Sequence, residues 1–441
     1  MQPLRILLAC IPIDGHFNPL TGIATFLKEQ GHDVRWYAQD YYADKLSRMG
    51  IHHYPFKRVV QYNQSNMDIV FAERLRYKNQ IKRTNFDLTH AFILRTPEFF
   101  GDIAEINASF SFDVMIADCM FMAIPLVSQV LKKPVLSIGV LPLTETSKDL
   151  APAGLGMTPS SSWLGRRKQD FLRYLTDKVL FGKLHKLYRS ILHNYGLDVK
   201  GNTLDYLNRN STFLLQSGTP GFEYRRSDLG KNVRFIGPLL PLAKGRTPVT
   251  ELREKAKLYS RVILVTQGTI EKDPEKLLVP VIEAYKGSNN LVVVTTGGSK
   301  TRDLRERFPY TNVVIEDYIP FEHVLPFTSV FITNGGYGGV MLGVKHGVPM
   351  VVAGIHEGKN EIAARVGYFK LGINLQKETP DSREIATAVE KVISDGAYRF
   401  NVMKLAVEFG KYNAERLVAS YVYEVTGYTP ARNDVPLSAI S

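Results

Sequence analysis

Short apolar runs alternate with longer amphipathic segments along this sequence, and the alternation occurs twice. The runs of the first half are Arg5–Ile11, Val34–Ala38, Val114–Asp118 and Pro134–Val140. Those of the second half are Val262–Gln267, Leu291–Thr296, Val313–Ile315, Val330–Thr333 and Met350–Ala353. Alternation of this kind is typical of βαβ units, which build parallel sheets with helices on both faces. The sequence therefore predicts an α/β fold with two parallel sheets.

The break between the two halves predicts a domain boundary. A chain of 441 residues exceeds the roughly 250–300 residues at which single cores stop growing. A polar linker is predicted over 241–257, between Rossmann-like domains over 1–240 and 258–399. Residues 400–426 are predicted to be helical, and residues 427–441 have little apolar periodicity and are predicted to be loose.

Composition excludes several classes of protein. Hydrophobic residues make up 44% of the chain and charged residues 22%, as in packed globular proteins. No apolar run approaches the ~20 residues of a membrane span. The apolar stretch Ile6–Ile11 is too short for a signal peptide, so we expect a cytoplasmic protein. The two cysteines, Cys10 and Cys119, are too few for a disulfide framework or a Cys-rich zinc site.

A formal net charge of +12 favours an anionic partner, which can be a phosphorylated substrate, a membrane surface or nucleic acid. Nucleic acid is the least favoured, because Lys and Arg are spread along the chain without a recognised binding motif. In the segment 160–197, however, basic residues are interleaved with Leu, Phe and Tyr at helical spacing. A solvated helix face over a core is favoured for this segment over contact with a membrane.

The first apolar run is followed by a turn that contains Gly15 and His16. In open α/β folds, ligands bind at the carboxyl edge of the sheet, where this turn lies. A neutral histidine there can take a proton from a substrate hydroxyl, which accelerates such reactions by about 10²–10⁴. Asp118 ends another run at the same edge and can orient the imidazole through a ring N–H. The structural alternatives are that His16 and Asp118 merely cap helices.

A glycine-rich turn, Asn334–Gly339, follows the run Val330–Thr333 and leads into an apolar, helix-like segment. Glycines at such a turn let backbone N–H groups converge on phosphate oxygens at the positive end of the helix dipole. The turn matches neither the dinucleotide-binding pattern nor the P-loop pattern, which disfavours a nicotinamide enzyme and an ATPase. We therefore predict a diphosphate-binding turn, with a flexible glycine turn as the alternative.

Two further turns follow predicted strands of the second half. One contains Gly268, and the other contains Tyr318, whose ring can stack on a nucleobase while neighbouring backbone groups pair with the base edge. The chain has no Asp-x-Asp pair, which is the carboxylate pair that usually holds a metal on a sugar nucleotide. We therefore expect no metal and no cofactor, with helix N-termini and side chains meeting the charge of a leaving diphosphate.

Together these residues resemble the UDP-glycosyltransferase superfamily, family 1 of the glycosyltransferases, and in particular its bacterial small-molecule branch. The resemblance covers nearly the whole chain. Its most specific segments follow the family's donor signature in order and spacing, and they are Asp317–Pro320, Thr333–Gly339, Gly347–Met350 and Asn360–Val366. The resemblance implies the GT-B fold, in which two Rossmann-like domains face each other across a cleft and a C-terminal helix crosses back to the N-terminal domain.

The resemblance also assigns roles to individual positions. It implies that His16 is the catalytic base and Asp118 its orienting partner, in a domain that binds the acceptor. It implies that Tyr318 stacks on the base and that Ile319 offers its backbone to the base edge. The other residues assigned to the nucleotide-sugar are Gly15, Gly268, Thr269, Asn334, Gly335, Gly336, Tyr337, Gly338, Gly339, Leu342, Glu357, Gly358 and Lys359.

Several positions depart from plant members of the family. Those members have His in place of Asn334, Glu in place of Leu342, and an acidic residue followed by Gln in place of Gly358 and Lys359. A leucine accepts no hydrogen bond from a ribose 2′-hydroxyl, which favours dTDP-sugars over UDP-sugars. The alternative is that a residue within 357–361 supplies the missing contacts and that UDP-glucose is the donor.

The residues and the resemblance together predict an inverting O-glycosyltransferase that moves glucose or rhamnose from a dTDP- or UDP-sugar to a hydroxyl of a lipophilic small molecule. Aromatic and Met residues between Phe56 and Phe121 favour a lipophilic acceptor such as a flavonoid. We expect a monomer or a weak dimer. The alternatives are a membrane-associated lipid or sterol glycosyltransferase that uses 160–197, and an inactive nucleotide-sugar-binding partner protein.

Overall fold

The computed structural model describes residues 2–240, 249–268, 271–356 and 358–430. Its strands are β1 (Arg5–Ala9), β2 (Asp33–Ala38), β3 (His52–Pro55), β4 (Val114–Asp118), β5 (Val135–Gly139), β6 (Phe213–Ser217), β7 (Val233–Gly237), β8 (Arg261–Thr266), β9 (Asn290–Thr295), β10 (Val313–Glu316), β11 (Val330–Thr333), β12 (Met350–Val352) and β13 (Gly372–Asn374).

The helices of the first half are α1 (Asp14–Phe17), α2 (Leu20–Glu29), α3 (Ala43–Arg48), α4 (Met67–Val70), α5 (Gln80–Asp87), α6 (Thr96–Ser109), α7 (Ile124–Gln129), α8 (Trp163–Tyr174), α9 (Gly182–His193) and α10 (Thr203–Arg209). Those of the second half are α11 (Val249–Ala256), α12 (Leu278–Tyr285), α13 (Thr301–Arg307), α14 (Phe321–Val324), α15 (Tyr337–Lys345), α16 (Lys359–Tyr368), α17 (Ser382–Ser394), α18 (Gly396–Phe409) and α19 (Ala414–Thr426). Two stretches are π-helical, Leu88–Ile93 and Leu175–Leu180.

The strands form two parallel sheets, as the sequence predicts. The order of the first is β3-β2-β1-β4-β5-β6-β7, and the order of the second is β10-β9-β8-β11-β12-β13. In each sheet the strand order reverses direction at one place, between β1 and β4 in the first and between β8 and β11 in the second. Ligands of doubly wound folds bind at the carboxyl ends of the strands that flank such a switch point.

Each sheet has an apolar core on both faces because successive side chains of a strand point to opposite sides. In β1, Ile6 and Leu8 belong to one core, and Leu7 and Ala9 belong to the other. In the second sheet, the side chains of β8 divide in the same way between two cores. The burial of both faces explains why these strands read as continuous apolar runs instead of alternating patterns.

The C-terminal helices connect the two domains, as the resemblance implies. α18 packs on α15 and α17 of the second domain, whereas α19 packs on α2, β4 and β7 of the first. Ala414, Val418 and Val422 of α19 are buried in the core of the first domain. The predicted helical segment 400–426 is therefore two helices with a turn between them.

The predicted linker over 241–257 falls between β7 and β8. Residues 241–248 lie outside the described residues, and most of the remainder forms α11. The predicted loose tail is described as far as residue 430. No helix in the described part of the chain combines the length and the apolar character needed to cross a membrane.

The basic segment 160–197 matches its predicted structure only in part. α9 has the predicted form, with a solvated basic face and with Leu184, Tyr188 and Leu192 buried in the core. In α8, by contrast, the one buried side chain is that of Gln169, while Trp163, Leu164, Phe171 and Tyr174 are exposed. The prediction of a polar face over an apolar core is therefore wrong for α8.

Candidate active site

His16 and Asp118 meet at the switch point of the first sheet. β1 leads to α1, which carries His16, and the neighbouring strand β4 ends at Asp118. Nδ1 of His16 lies 2.8 Å from Oδ1 of Asp118. Asp118 is fully buried, whereas 14% of the His16 side chain is exposed. Gly15 precedes His16 in an open position, where a Cβ would have no neighbour within 4 Å.

The hydrogen bonds of Asp118 determine the tautomer of His16. Oδ2 of Asp118 accepts the backbone N–H of Ile11 at 2.8 Å, and Oδ1 accepts that of Met120, also at 2.8 Å. Because both carboxylate oxygens act as acceptors, Nδ1 of His16 carries the hydrogen and Nε2 is the unprotonated nitrogen. Asp118 thus has the backbone-capping role and the histidine contact at once, although the sequence presented them as alternatives.

Contacts on both sides of His16 fix the turn that carries it. The ring of Phe17 stacks on that of Tyr42, with centroids 3.9 Å apart. Asp14 accepts hydrogen bonds from the Tyr42 hydroxyl at 3.0 Å and from Nε2 of Gln64 at 2.7 Å. Neither Asp14 nor Gln64 was predicted as a site residue, because nothing in the local sequence links the turn to a loop 50 residues later.

Gly268 and Asn334 face each other at the switch point of the second sheet. Nδ2 of Asn334 donates to the carbonyl of Gln267, which joins the turn after β11 to the turn after β8. Gly268 has a φ of +77° and Gly335 has a φ of +84°, values that favour glycine. A Cβ on Gly335 would also lie only 2.9 Å from Cγ1 of Val352, so this turn has no room for a side chain.

The N-terminus of α15 is the candidate diphosphate site. The helix begins at Tyr337 after the N-cap residue Gly336, and no side chain caps it. Gly338 and Gly339 lie in its first turn, where they leave the backbone N–H groups without a covering side chain. Uncapped N–H groups and the positive end of the helix dipole together favour a bound anion.

The side chain of Tyr337 points away from this helix terminus. Its hydroxyl donates to the carbonyl of Ser217 at 2.6 Å and lies 3.4 Å from Nε2 of Gln216. Burial raises the pKa of Tyr337, so the hydroxyl keeps its proton as a donor. The predicted donor-binding residue Tyr337 is thus a contact between the domains, and only its backbone N–H remains for a phosphate.

Tyr318 and Ile319 follow β10 at the same edge of the second sheet. The Tyr318 side chain is 43% exposed, and its hydroxyl donates to the carbonyl of Gly297 at 2.8 Å. Ile319 is buried in the core. The Tyr318 ring is therefore held at its hydroxyl end and is partly exposed to a ligand. The side chain of Ile319 is buried, so only its backbone can contact the ligand.

Two predictions do not match the positions that the structure gives. Leu342 is only 3% exposed and packs in the core of the second domain, so its side chain offers no surface to a ribose. The aromatic residues between Phe56 and Phe121 are also mostly core, and Phe99, Phe112 and Phe121 are fully buried. They fill the space between a sheet and its helices and are no evidence for an apolar acceptor pocket.

The start of α16 lies against the glycine turn. Gly358 is the N-cap with a φ of +79°, and Lys359 begins the helix. A Cβ on Gly335 would lie 3.6 Å from Cβ of Lys359, so the lysine is next to the candidate phosphate turn. Thr269 and Glu357, which were also assigned to the nucleotide-sugar, lie outside the described residues.

A contact between the domains beside α16 was not predicted from the sequence. Oε1 of Glu361 accepts the backbone N–H groups of Gly154 at 2.9 Å and Gly156 at 2.7 Å. Oε2 of Glu361 pairs with Nη1 of Arg365 at 3.0 Å. Both oxygens of Glu361 therefore bind protein groups, which disfavours this residue as a substitute contact to the sugar. No local sequence signal links these glycines to a residue more than 200 positions later.

Cysteine thiols and metal-ligating side chains are poorly placed for catalysis in the described residues. Cys10 and Cys119 are buried thiols, and burial together with Asp118 raises the pKa of Cys119 to about 12. Neither is suited to nucleophilic catalysis. Within the described ranges, no three His, Cys, Asp or Glu side chains are grouped so that they could hold a metal ion.

Comparisons with known sequences identify the family of this chain. The chain is 33% identical over 412 residues to 4′-demethylrebeccamycin synthase of Lentzea aerocolonigenes, a match that covers 93% of this chain and 96% of that protein. It is 31% identical over 440 residues to UDP-glucosyltransferase 1 of Beauveria bassiana, with 93% of each chain covered. The chain belongs to the UDP-glycosyltransferase superfamily. Residues 284–419 also match the model of the C-terminal domain of erythromycin biosynthesis protein CIII-like proteins.

Solved structures give this glycosyltransferase the GT-B fold. The calicheamicin glycosyltransferase CalG4 superimposes with a TM-score of 0.76 at 19% identity, and the match covers 98% of this chain and all of that one. The spinosyn rhamnosyltransferase SpnG, solved with thymidine diphosphate, superimposes with a TM-score of 0.66 at 14% identity over 95% of this chain. At these identities the likeness concerns the fold.

Proposed function

We propose that this glycosyltransferase is an inverting O-glycosyltransferase in which His16 is the general base. The contact between His16 and Asp118 carries the proposal. With Nδ1 protonated and bonded to the carboxylate, Nε2 accepts the proton of an acceptor hydroxyl. The imidazolium that forms is stabilised by Asp118, which is fully buried and keeps the ring in place.

The nucleotide-sugar is assigned to the second domain. Its diphosphate binds the N–H groups at the start of α15 and the turn around Gly268, and its base stacks on Tyr318. The acceptor oxygen attacks the anomeric carbon from the face opposite the diphosphate, so one displacement inverts the configuration. The leaving diphosphate is stabilised by the helix terminus and by Lys359 without a metal ion.

The donor is proposed to be a dTDP- or UDP-linked hexose, glucose or rhamnose. A UDP-glucosyltransferase is among the relatives, and a rhamnosyltransferase bound to thymidine diphosphate is among the structural neighbours. Leu342 gives no preference for dTDP, because its side chain is buried. The choice between the two nucleotides therefore rests on a direct comparison of donors.

The acceptor is proposed to be a lipophilic natural product with a free hydroxyl, of which a flavonoid is one example. The choice of a natural product as acceptor is based on the name of one relative, 4′-demethylrebeccamycin synthase. The aromatic residues of the first domain do not support it, since they are core.

The test is a panel of UDP- and dTDP-sugars with one flavonol and other lipophilic hydroxyl compounds as acceptors, with products identified by mass spectrometry. We expect transfer from at least one donor, and proton NMR of the product should show the anomeric configuration opposite to that of the donor. Retained configuration would contradict a single displacement. Donor binding without either hydrolysis of the donor or transfer to any acceptor would favour the alternative of an inactive nucleotide-sugar-binding partner protein.

A further inference from the structure

The helix α8 presents four large apolar side chains to solvent, and its one buried side chain is polar. The exposed fractions are 68% for Trp163, 73% for Leu164, 62% for Phe171 and 64% for Tyr174. Gln169 is buried and donates from Nε2 to the carbonyl of Thr158 at 3.1 Å. A surface helix of a globular protein has the opposite arrangement. The exposed residues therefore contribute little to folding stability.

Cationic side chains lie on the same solvent-exposed face of α8 as these apolar residues. At 3.6 residues per turn, Arg167 falls between Trp163 and Phe171 on the helix surface. The guanidinium of Arg167 lies 5.6 Å from the centre of the Trp163 ring. The π-helical stretch that follows adds Lys178 and Val179, which are both exposed. Apolar and positive side chains thus alternate along one face.

The charge around α8 is strongly positive. Residues 163–189 contain eight Lys and Arg and two Asp residues, a surplus of six positive charges out of the formal +12 of the whole chain. The two acidic residues are already paired, Asp170 with Arg173 and Asp177 with Lys178. The face therefore carries unneutralised positive charge beside exposed apolar area.

We propose that the outer face of α8 docks on an anionic phospholipid surface. Trp163, Leu164, Phe171 and Tyr174 enter the boundary between headgroups and acyl chains, and the neighbouring Lys and Arg bind lipid phosphates. Nucleic acid would also bind the cations and could stack on the aromatic rings, but it gains nothing from the exposed aliphatic side chains Leu164 and Val179. A helix that lies in the plane of the interface uses both. The contact is peripheral, because no described helix is suited to span a bilayer.

The orientation of α8 connects this face to the cleft. The loop that precedes α8 contains Gly154 and Gly156, which bind Glu361 at the donor side. Arg173 of α8 donates to the carbonyl of Leu150 at the other end of the same loop. A membrane bound to α8 therefore lies next to a loop that bridges both domains.

The test is co-sedimentation of the purified protein with vesicles of phosphatidylcholine alone and of phosphatidylcholine mixed with phosphatidylglycerol. We expect binding to the mixed vesicles that weakens with added NaCl, and little binding to phosphatidylcholine alone. Phe171→Glu/Lys168→Glu should reduce binding by at least about tenfold. Both positions are exposed, so the substitutions do not disturb the core.

The matched control is Phe400→Glu/Lys404→Glu on α18, which makes the same chemical changes at another exposed apolar position. It should bind vesicles like the wild type. Equal losses in both double variants, or no binding to anionic vesicles, would overturn the proposal. A change of oligomeric state caused by the α8 substitutions would also overturn it and assign the face to a second copy of the chain. Vesicle binding does not depend on turnover, so its failure leaves the proposed reaction untouched.

Discussion

Nη2 of Arg365, in the second domain, lies 2.8 Å from Oε2 of Glu223, in the first domain, and both side chains are almost fully buried. Oε1 of Glu223 accepts the backbone N–H of Leu143 at 3.0 Å. Burial would lower the pKa of Arg365, but Glu223 and Glu361 raise it above the usual value. The guanidinium thus remains charged between two carboxylates at the contact of the domains.

Glu223→Gln should destabilise the protein, because it leaves the buried guanidinium with one carboxylate. We expect a loss of about 3 kcal/mol in the free energy of unfolding, measured by urea denaturation. The control is Glu306→Gln, which breaks the exposed pair of Arg302 and Glu306 and should cost less than about 1 kcal/mol. Equal losses in the two variants would show that the buried pair contributes no more than a surface one.

His16→Ala should lower kcat on an aliphatic hydroxyl by about 10²–10⁴ and leave donor affinity nearly unchanged. The reason is that the base acts only on the acceptor proton. Acceptors with acidic phenols should lose less, because they ionise without help. Steady-state kinetics together with calorimetric titration of the nucleoside diphosphate measure both quantities. Lost nucleotide binding with normal turnover would contradict the assigned role.

Asp118→Asn should reduce kcat by less than His16→Ala does, and the two effects should not add. The asparagine has one acceptor oxygen in place of two, so the N–H of Ile11 or Met120 loses its partner at a cost of about 1–3 kcal/mol. Thermal unfolding and kinetics of the single and double variants test both parts. Additive kinetic effects would show that Asp118 only caps the backbone.

Activity should survive EDTA. The charge of the leaving diphosphate is proposed to be met by α15 and Lys359, so removal of divalent cations should change the initial rate less than about twofold, within the effect of slower product release. Initial rates in EDTA and after addition of Mg²⁺ or Mn²⁺ measure this. Complete loss in EDTA that is restored by Mn²⁺ would contradict the proposed phosphate site.

Stability should fall below about pH 6.5 through His32. Burial lowers the pKa of His32, and its Nδ1 accepts the backbone N–H of Leu4 at 3.3 Å. The unfolded state therefore takes up the proton first as the pH falls, so the folded state loses stability between the unfolded and the folded pKa. In His32→Gln the free energy of unfolding should change less between about pH 7 and pH 5. The control His193→Gln, at an exposed position, should keep the wild-type slope.

The two sheets and the meeting of His16 with Asp118 followed from the sequence because parallel strands place their carboxyl ends along one edge. Four strands were missed, and they are β3, β6, β7 and β13. β6 ends in the polar residues Gln216 and Ser217, and β7 contains Arg234, so neither is a continuous apolar run. The other two are less regular. β3 is an edge strand of the sequence His-His-Tyr-Pro whose residues are exposed or half-buried, and β13 has three residues. Neither has the long buried apolar run that marked the central strands.

Side-chain directions in the second domain could not be predicted from the donor signature. The signature identifies the turn and the helix that follows it, but successive helical residues point in directions about 100° apart. Tyr337 therefore reaches Ser217, and Leu342 enters the core, although the resemblance assigned both to the nucleotide-sugar. The contacts of Glu361 with Gly154 and Gly156 join residues more than 200 positions apart, and only the packing of the two domains brings them together.

The path of the chain restricts how the cleft can open. The polypeptide leaves the first domain after β7 and returns between α18 and α19, so two covalent connections join the halves. Two bodies joined at two separate points keep one easy relative motion, which is rotation about the line through both points. The nucleotide-sugar would then enter by rotation of one domain about this axis. That rotation would separate Arg365 from Glu223 and the Tyr337 hydroxyl from the carbonyl of Ser217, so these two contacts stabilise the closed arrangement of the domains.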